Sequence, residues 1–340
     1  MMQHKLATAI KAMTSMGIRT YAGALYLMRP SMRKSIIAPA LALALQAFIS
    51  TPVSADTWVL AAAACPPWKD IPGKPELSAR MESACETDVA LFVDGFRATY
   101  NIADDHVTTL VNAEATTQNV TDAIAELAKN AAPDDRVFVY VNTHGGQVEA
   151  MYQGYEVEDE IFAWYTEEKP ADFTKATEDG SWMSVRAFRD AVNAIIAHEI
   201  IVVIEACDAS VSMGDFVDNV SDGVGGRGDN WPGREAIIFS AHAQQIANFT
   251  ADGSAALFTQ TWSNMLQNGR DDTLFDSFEA ARLATHRTVR ANCAEGETHA
   301  ELLKDWKDYK VLCTQMPTSW DPFGLLDDMA LPGQTFGDKT

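Results

Sequence analysis

The sequence predicts a three-layer α/β fold, with a mostly parallel central sheet and helices on both faces. Two apolar segments of strand length, 136–142 and 200–204, support this prediction. Strands that are buried on both faces carry continuous rather than alternating apolar residues. Segments with helical spacing separate the predicted strands, and this alternation is typical of parallel sheets covered by helices.

The predicted elements follow in a regular order. We expect strands at 57–64, 106–112, 136–142, 200–204 and 235–240, and helices at 76–100, 117–130, 183–197, 253–268, 274–292 and 301–312. Residues 147–165 alternate with turn signals and predict a β-hairpin or meander, while 166–182 are polar and loop-like. The Asp-, Asn- and Gly-rich segment 215–232 predicts a solvated loop, with calcium binding as the alternative.

The N-terminal residues 1–55 predict a leader and signal peptide. Arg33 and Lys34 precede an apolar run at 36–49, and small residues at 53–55 suit cleavage after Ala55. A membrane anchor is the alternative, but the run contains Pro39 and is short for a spanning helix. We therefore expect a secreted or periplasmic protein without a membrane association after cleavage. Residues 56–316 predict one folded domain and 317–340 an irregular tail.

The charge of the chain excludes two classes of partner. The formal net charge is −21, and every Asp and Glu lies after residue 55. A strongly acidic surface repels nucleic acid and anionic membranes, so neither is expected as a partner.

The five cysteines divide into four that can pair and one at a strand end. In an oxidising compartment, Cys65, Cys85, Cys293 and Cys313 could form two disulfides. The pairs 65–85 and 293–313 close the shortest loops and are preferred, although other pairings and four thiols stay open. Cys207 directly follows the most apolar strand.

Cys207 and His144 each follow a predicted strand and suggest nucleophilic catalysis. Functional groups collect at the carboxyl ends of parallel strands, and neighbouring strands lie about 4.8 Å apart. Cys207 would then be the nucleophile and His144 the general base and acid. The amides of Gly145 and Cys207 could stabilise an oxyanion. This chemistry requires no cofactor. Core filling by the cysteine, a surface histidine, and a zinc site with His242 are the alternatives.

These motifs resemble those of the legumain (asparaginyl endopeptidase) family, within the caspase-like group of cysteine peptidases. The resemblance lies in a strand ending in His-Gly at 144–145 and a strand ending in Glu-Ala-Cys at 205–207. Weaker likeness covers the strand at 57–64, the helix around Cys85 and the strand at 236–243. The resemblance implies a caspase-like fold, a Cys207–His144 dyad and an oxyanion contact from Gly145.

The resemblance also implies which residues bind the substrate. Legumains cleave after asparagine, in a pocket that contains a glutamate, an arginine and an aspartate. Glu205 matches the glutamate, and Arg80 lies within one residue of the arginine. The place of the aspartate falls near Ala256, and Ser240 and His242 are further candidates for the pocket wall. Cleavage after Asn or Asp is what this resemblance implies.

Three functions fit this pattern. The first is an exported cysteine endopeptidase acting on peptide or protein substrates. The second is a peptide ligase or transamidase, in which an amine rather than water resolves the thioester. The third is a non-catalytic binding module that keeps the caspase-like fold.

Overall fold

The computed structural model describes residues 55–65, 75–152, 155–168, 170–207, 209, 233–242, 245–268, 273–295 and 313–331. The leader predicted at 1–55, apart from its last residue, lies outside the described residues. So do the polar segment 215–232 and the predicted helix 301–312. All of the described residues belong to one unit, 55–340.

The described strands form two sheets. They are β1 (Thr57–Ala63), β2 (Val107–Val111), β3 (Arg136–Asn142), β4 (His144–Tyr152), β5 (Tyr155–Ala163), β6 (Met183–Ser184), β7 (Glu199–Glu205), β8 (Arg234–Phe239) and β9 (Thr318–Trp320). The central sheet has the order β2-β1-β3-β7-β8-β9, and only β9 runs antiparallel to its neighbour. The smaller sheet is antiparallel, with the order β4-β5-β6.

Both faces of the central sheet are buried. The residues from Ile200 to Ile204 are at most 1% exposed. Successive strand residues point to opposite faces, so Ile201 and Val203 enter one core and Val202 enters the other. A run of β-branched residues suits such a strand because each side chain packs against a covered face.

Helices cover each face of the sheet. The described helices are α1 (Pro75–Tyr100), α2 (Thr117–Asn130), α3 (Phe173–Glu178), α4 (Val185–Val192), α5 (Leu257–Asn268), α6 (Leu274–Glu295) and α7 (Leu325–Asp328). Phe96 of α1, Trp262 of α5 and Phe278 of α6 share one core, while Ile124 of α2 and Phe188 of α4 share the other. The predicted three-layer α/β fold with a mostly parallel sheet is therefore confirmed. Among these helices, none combines the length and hydrophobicity needed to cross a bilayer.

The β4–β5 hairpin is attached to the domain at its base. Phe162 and Trp164 pack into the core on the α2 and α4 side of the central sheet. Ile161 and Ala163, which point the other way, join a small second core that contains Trp182. The hairpin predicted at 147–165 is confirmed, and its first strand begins earlier, at His144.

The predicted irregular tail is wrong for its described part, 317–331. β9 pairs with β8 at the edge of the sheet, and α7 follows it. Leu325 and Leu326 are completely buried in the core that faces α1. Proline and glycine in this segment indicated irregular structure, but burial of its apolar residues outweighs that local preference.

Three further predictions differ from the structure. The helix predicted at 253–268 begins only at Leu257. The helix predicted at 183–197 covers only 185–192, since Ile195 and Ala197 are buried in the turn that leads to β7. The predicted loop 166–182 contains α3, whose first turn is capped by the Asp172 carboxylate accepting from the Lys175 amide at 3.2 Å. An aspartate at this position satisfies an otherwise unpaired amide of the first turn.

Candidate active site

His144 and Cys207 follow neighbouring strands of the central sheet. β3 and β7 run parallel in full register, so Asn142 lies opposite Glu205 at their carboxyl ends. The Thr143 amide donates to the Glu205 carbonyl at 3.2 Å and extends this pairing by one residue. His144 and Cys207 therefore each stand two residues beyond the last paired positions, at the same edge of the sheet.

Gly145 is the point where these two strand ends touch. A Cβ atom built on Gly145 would lie 2.3 Å from the carbonyl oxygen of Cys207 and 3.5 Å from the Cβ of Ala206. Non-bonded heavy atoms have optimal contacts at about 3.5 Å or more, so a side chain at this position is excluded. The absence of a side chain allows the backbone next to His144 to lie directly against Cys207.

The β4–β5 hairpin fixes the direction in which the chain leaves the carboxyl end of β3. His144 is the first residue of β4 and lies opposite Ala163 of β5. The buried Thr143 hydroxyl donates to the Ala163 carbonyl at 2.7 Å. His144 and Cys207 are both half-buried, so each retains access to solvent.

A cavity of about 210 Å³ opens beside these two residues. Its wall comes from the carboxyl ends of β1, β3 and β7 and from residues 246–249. Pockets for drug-sized ligands have volumes of about 300–1,000 Å³, so this smaller cavity suits a single side chain. The described residues that line it are Ala64, Cys65, Asn142, Thr143, His144, Glu205, Ala206, Cys207, Ile246, Ala247, Asn248, Phe249 and Ala256.

Glu205 supplies the carboxylate of this cavity and is 2% exposed. Its Oε2 atom accepts from the Thr259 amide at 3.1 Å and from the Thr259 hydroxyl at 2.7 Å. Burial raises the pKa of Glu205 to about 7. Ser240 and Thr259 lower this pKa, but burial has the larger effect. Ser240 approaches the carboxylate without reaching hydrogen-bond geometry, and Oε1 accepts no hydrogen bond within the described part of the chain.

Asp88 of α1 forms a second buried carboxylate below the cavity. It accepts from the Asn142 side-chain amide at 2.7 Å and from the Ala256 backbone amide at 2.8 Å. Burial, followed by the nearby charge of Glu205, raises the pKa of Asp88 to about 8. Asn142 and Ala256 both line the cavity, so Asp88 holds two of its wall residues in place.

Tyr140 of β3 lies beside the same two buried acids, Glu205 and Asp88. Its hydroxyl lies 2.9 Å from the Thr259 hydroxyl, which donates to Glu205. Burial, with the charges of Asp88 and Glu205, raises the pKa of Tyr140 well above its usual value. Tyr140 therefore stays protonated and neutral beside the two acids.

The predicted substrate-binding residues lie at different distances from this cavity. Glu205 lines it, and Ser240 lies behind Glu205 at the end of β8. Arg80 is exposed and donates to the backbone carbonyl of Asp252 at 3.3 Å, and it does not line the cavity. His242 is exposed, and its backbone amide donates to the Gln245 side chain at 3.2 Å. The roles assigned to Arg80, Ser240 and His242 stay predictions.

Sequence analysis missed Asp88, Asn142 and Thr259. Asp88 carried a detectable signal, because it lies three residues after Cys85 and four before Phe92, on the buried face of α1. An acid on the apolar face of a helix indicates a buried polar site. Thr259 carried no comparable signal, since its bond to Glu205 joins residues that are 54 positions apart.

The structure contains two disulfides among the described residues, and one of them lies at the cavity. Cys65, which lines the cavity, is joined to Cys85 of α1, with 5.7 Å between their Cα atoms. Cys293 of α6 is joined to Cys313, with a Cα separation of 5.6 Å. These are the two pairs that close the shortest loops. Cys207 takes part in neither disulfide.

Metal ligands are not clustered in the part of the chain that the structure describes. No group of three or more His, Cys, Asp or Glu side chains there has a geometry that could hold a metal ion.

Comparison with known proteins yields only a distant structural likeness. No protein-family model matches the chain, and no curated protein matches it. The crystal structure of protein GSU0716 from Geobacter sulfurreducens aligns with 67% of this chain and 89% of its own, at 16% identity and a TM-score of 0.43.

Proposed function

We propose that this protein is a cysteine endopeptidase in which Cys207 is the nucleophile and His144 the general base and acid. The observation that carries the proposal is the contact of Gly145 with Cys207, which brings the histidine and cysteine segments together beside a cavity. The resemblance of 144–145 and 205–207 to the legumain family is in agreement with it.

The proposed reaction has two steps. His144 accepts the thiol proton of Cys207, the thiolate attacks the substrate carbonyl, and the proton passes to the leaving amine. Water then attacks the resulting thioester, gives its proton to His144, and releases the acid product and the thiol. The backbone amides of Gly145 and Cys207 are the proposed donors to the oxyanion.

The two disulfides support an oxidising compartment for the mature protein. Disulfides persist in secreted and periplasmic proteins and are rare in the cytosol. Together with the predicted signal peptide, this favours export, and an exported peptidase would meet extracellular or periplasmic peptides and proteins.

The test compares wild-type protein with the variants Cys207→Ala and His144→Ala on a peptide library that varies the residue before the cleaved bond. We expect both variants to lose turnover and to keep their melting temperature. In wild-type protein, a thiol-directed alkylating reagent should modify Cys207 and abolish turnover in proportion. Full activity of the Cys207→Ala variant would exclude this thiol as the nucleophile.

A further inference from the structure

We propose that the cavity beside Cys207 binds a lysine or arginine side chain, namely that of the residue preceding the cleaved bond. This inference rests on the proposed peptidase function. It follows from a buried, unpaired acceptor atom on a residue that lines the cavity, from the second acid beside that residue, and from the nature of the walls.

The unpaired acceptor is the buried Oε1 atom of Glu205, a residue that lines the cavity. Thr259 satisfies the other carboxylate oxygen twice, whereas Oε1 has no hydrogen bond among the described residues. A buried carboxylate oxygen without a donor is unfavourable, because burial removes its bonds to water. A ligand that carries N–H groups would restore them.

The charge around Glu205 favours a cationic donor over a neutral one. Asp88 is a second buried acid, close enough to Glu205 for the charge of Glu205 to raise the pKa of Asp88. Within the described part of the chain, neither acid takes part in an ion pair with lysine, arginine or histidine. The uncharged partners of the two acids are Asn142, Thr259 and the Ala256 backbone. An ammonium or guanidinium group in the cavity would be the missing counter-charge.

The walls of the cavity suit the aliphatic part of such a side chain. The lining contains the apolar residues Ala64, Ile246, Phe249 and Ala256. Lysine and arginine combine a long apolar stem with a charged end, so they match an apolar wall that leads to an acid. The cavity volume of about 210 Å³ admits one such side chain.

This assignment differs from the asparagine or aspartate that the family resemblance implies. An aspartate side chain would place a further acid beside Glu205 and Asp88, whose pKa values are already raised to about 7 and about 8, and this is electrostatically unfavourable. An asparagine in the legumain pocket also meets an arginine, and Arg80 is engaged with the Asp252 carbonyl outside the cavity. Glu205 could therefore accept from the amide nitrogen of an asparagine side chain, but no arginine lines the described cavity to donate to its amide oxygen.

The experiment uses full-length oxidised protein and peptides that differ only in the residue before the cleaved bond. The matched pairs are lysine against norleucine and arginine against citrulline, with asparagine and aspartate as further members. We expect kcat/KM to be higher for each cation than for its neutral partner by about tenfold to a hundredfold, which is the range of a charge-assisted hydrogen bond.

The variant Glu205→Gln tests the source of the preference. Glutamine keeps the shape and can still accept from Thr259 through one oxygen. We expect the lysine-to-norleucine ratio to approach one in this variant. Glu235→Gln is the matched control, because Glu235 is also buried. Glu235 lies opposite Ile200, five residues before Glu205 on β7, which places it about 16 Å from Glu205 along the strand direction. This control should keep the wild-type ratio.

A binding measurement separates the inference from the peptidase proposal. Calorimetry with Cys207→Ala protein gives the affinity for the lysine and norleucine peptides without turnover, and we expect tighter binding of lysine. Equal affinities, no binding of either peptide, or faster cleavage after asparagine than after lysine would overturn the inference. A lysine preference in binding without hydrolysis of any peptide by wild-type protein would instead overturn the peptidase function alone.

Discussion

The variant Gly145→Ala is the smallest change that should separate His144 from Cys207. A new methyl group would lie 2.3 Å from the Cys207 carbonyl oxygen and 3.3 Å from its carbonyl carbon. Both of these are backbone atoms, so no side-chain rotation relieves the overlap. Either β4 or the segment after β7 must move.

The size of the effect follows from this distance. An ordinary contact between such atoms needs about 3.3 Å or more, so the two segments must separate by about 1 Å. A displacement of about 1 Å between reacting groups lowers catalytic rates about a hundredfold. Overpacking of this kind also costs about 1–3 kcal/mol of unfolding free energy. We therefore expect a folded protein with a lower melting temperature and about 1% of wild-type kcat/KM.

Two assays measure this effect. The first is kcat/KM on the best peptide from the library, and the second is the alkylation rate of Cys207 at neutral pH. The alkylation rate reports on the His144–Cys207 interaction even without a peptide substrate, because a neighbouring imidazole promotes thiolate formation. We expect both rates to fall in Gly145→Ala.

The matched control is Gly146→Ala. A methyl group at Gly146 would lie 3.6 Å from the nearest atom of the Ile161 side chain, which is ordinary van der Waals contact. We expect this variant to stay close to wild type in melting temperature and alkylation rate. Wild-type values of both rates in Gly145→Ala would refute the argument that close backbone contact aligns the pair.

Two further predictions concern stability. In the folded protein, Glu205 has a pKa of about 7 and Asp88 a pKa of about 8, above the usual 4.5 and 3.8. The folded state therefore binds more protons than the unfolded state over this range. We expect the unfolding free energy to fall as pH rises from about 4 to 8. Urea denaturation at pH 5 and pH 8 measures this fall, which Glu205→Gln should reduce. Truncation after Met316 should give insoluble or unfolded protein, and Leu326→Ala should lower the unfolding free energy by about 2–5 kcal/mol, measured by urea denaturation.

Each of these predictions has its own control. Asp327 neighbours Leu326 but is exposed, so Asp327→Ala should leave the unfolding free energy close to wild type. An unchanged pH slope in Glu205→Gln would mean that other groups cause the loss of stability. Soluble protein with wild-type melting after truncation at Met316 would show that the apolar contacts of α7 are dispensable.

The central strands were predictable because their signal is local. A strand covered on both faces needs an unbroken apolar run, and 200–204 supplies one of β-branched residues only. The positions of His144 and Cys207 followed from the same runs, since each residue lies two positions after the end of a strand. The contact at Gly145 was not predictable in detail, because it depends on the register of β3 against β7.

The structure of residues 317–331 and the long-range contact of Asp88 could not be predicted from local sequence patterns. In 317–331, proline and glycine mark turns correctly, but the sequence does not reveal that Leu325 and Leu326 fill a gap in a core formed by distant segments. Asp88 reaches the Ala256 amide across 168 residues of sequence. Such a contact depends on how α1 lies against the chain before α5, which no local pattern specifies.

The buried acids connect the stability of the domain with the selectivity proposed for it. Glu205 lies two residues before Cys207, on the strand that also presents the proposed nucleophile, so the register of β7 sets both positions together. Burial of this carboxylate destabilises its charged form, and that charge in turn raises the pKa of Asp88. Among the described residues, neither acid forms an ion pair with a cation. A purely structural carboxylate would be better replaced by a neutral or apolar residue of similar volume. An acid that lines a cavity and has one oxygen without a hydrogen bond gains a counter-charge only when a cation enters the cavity. The same property that weakens the folded state at high pH therefore strengthens binding of a basic side chain.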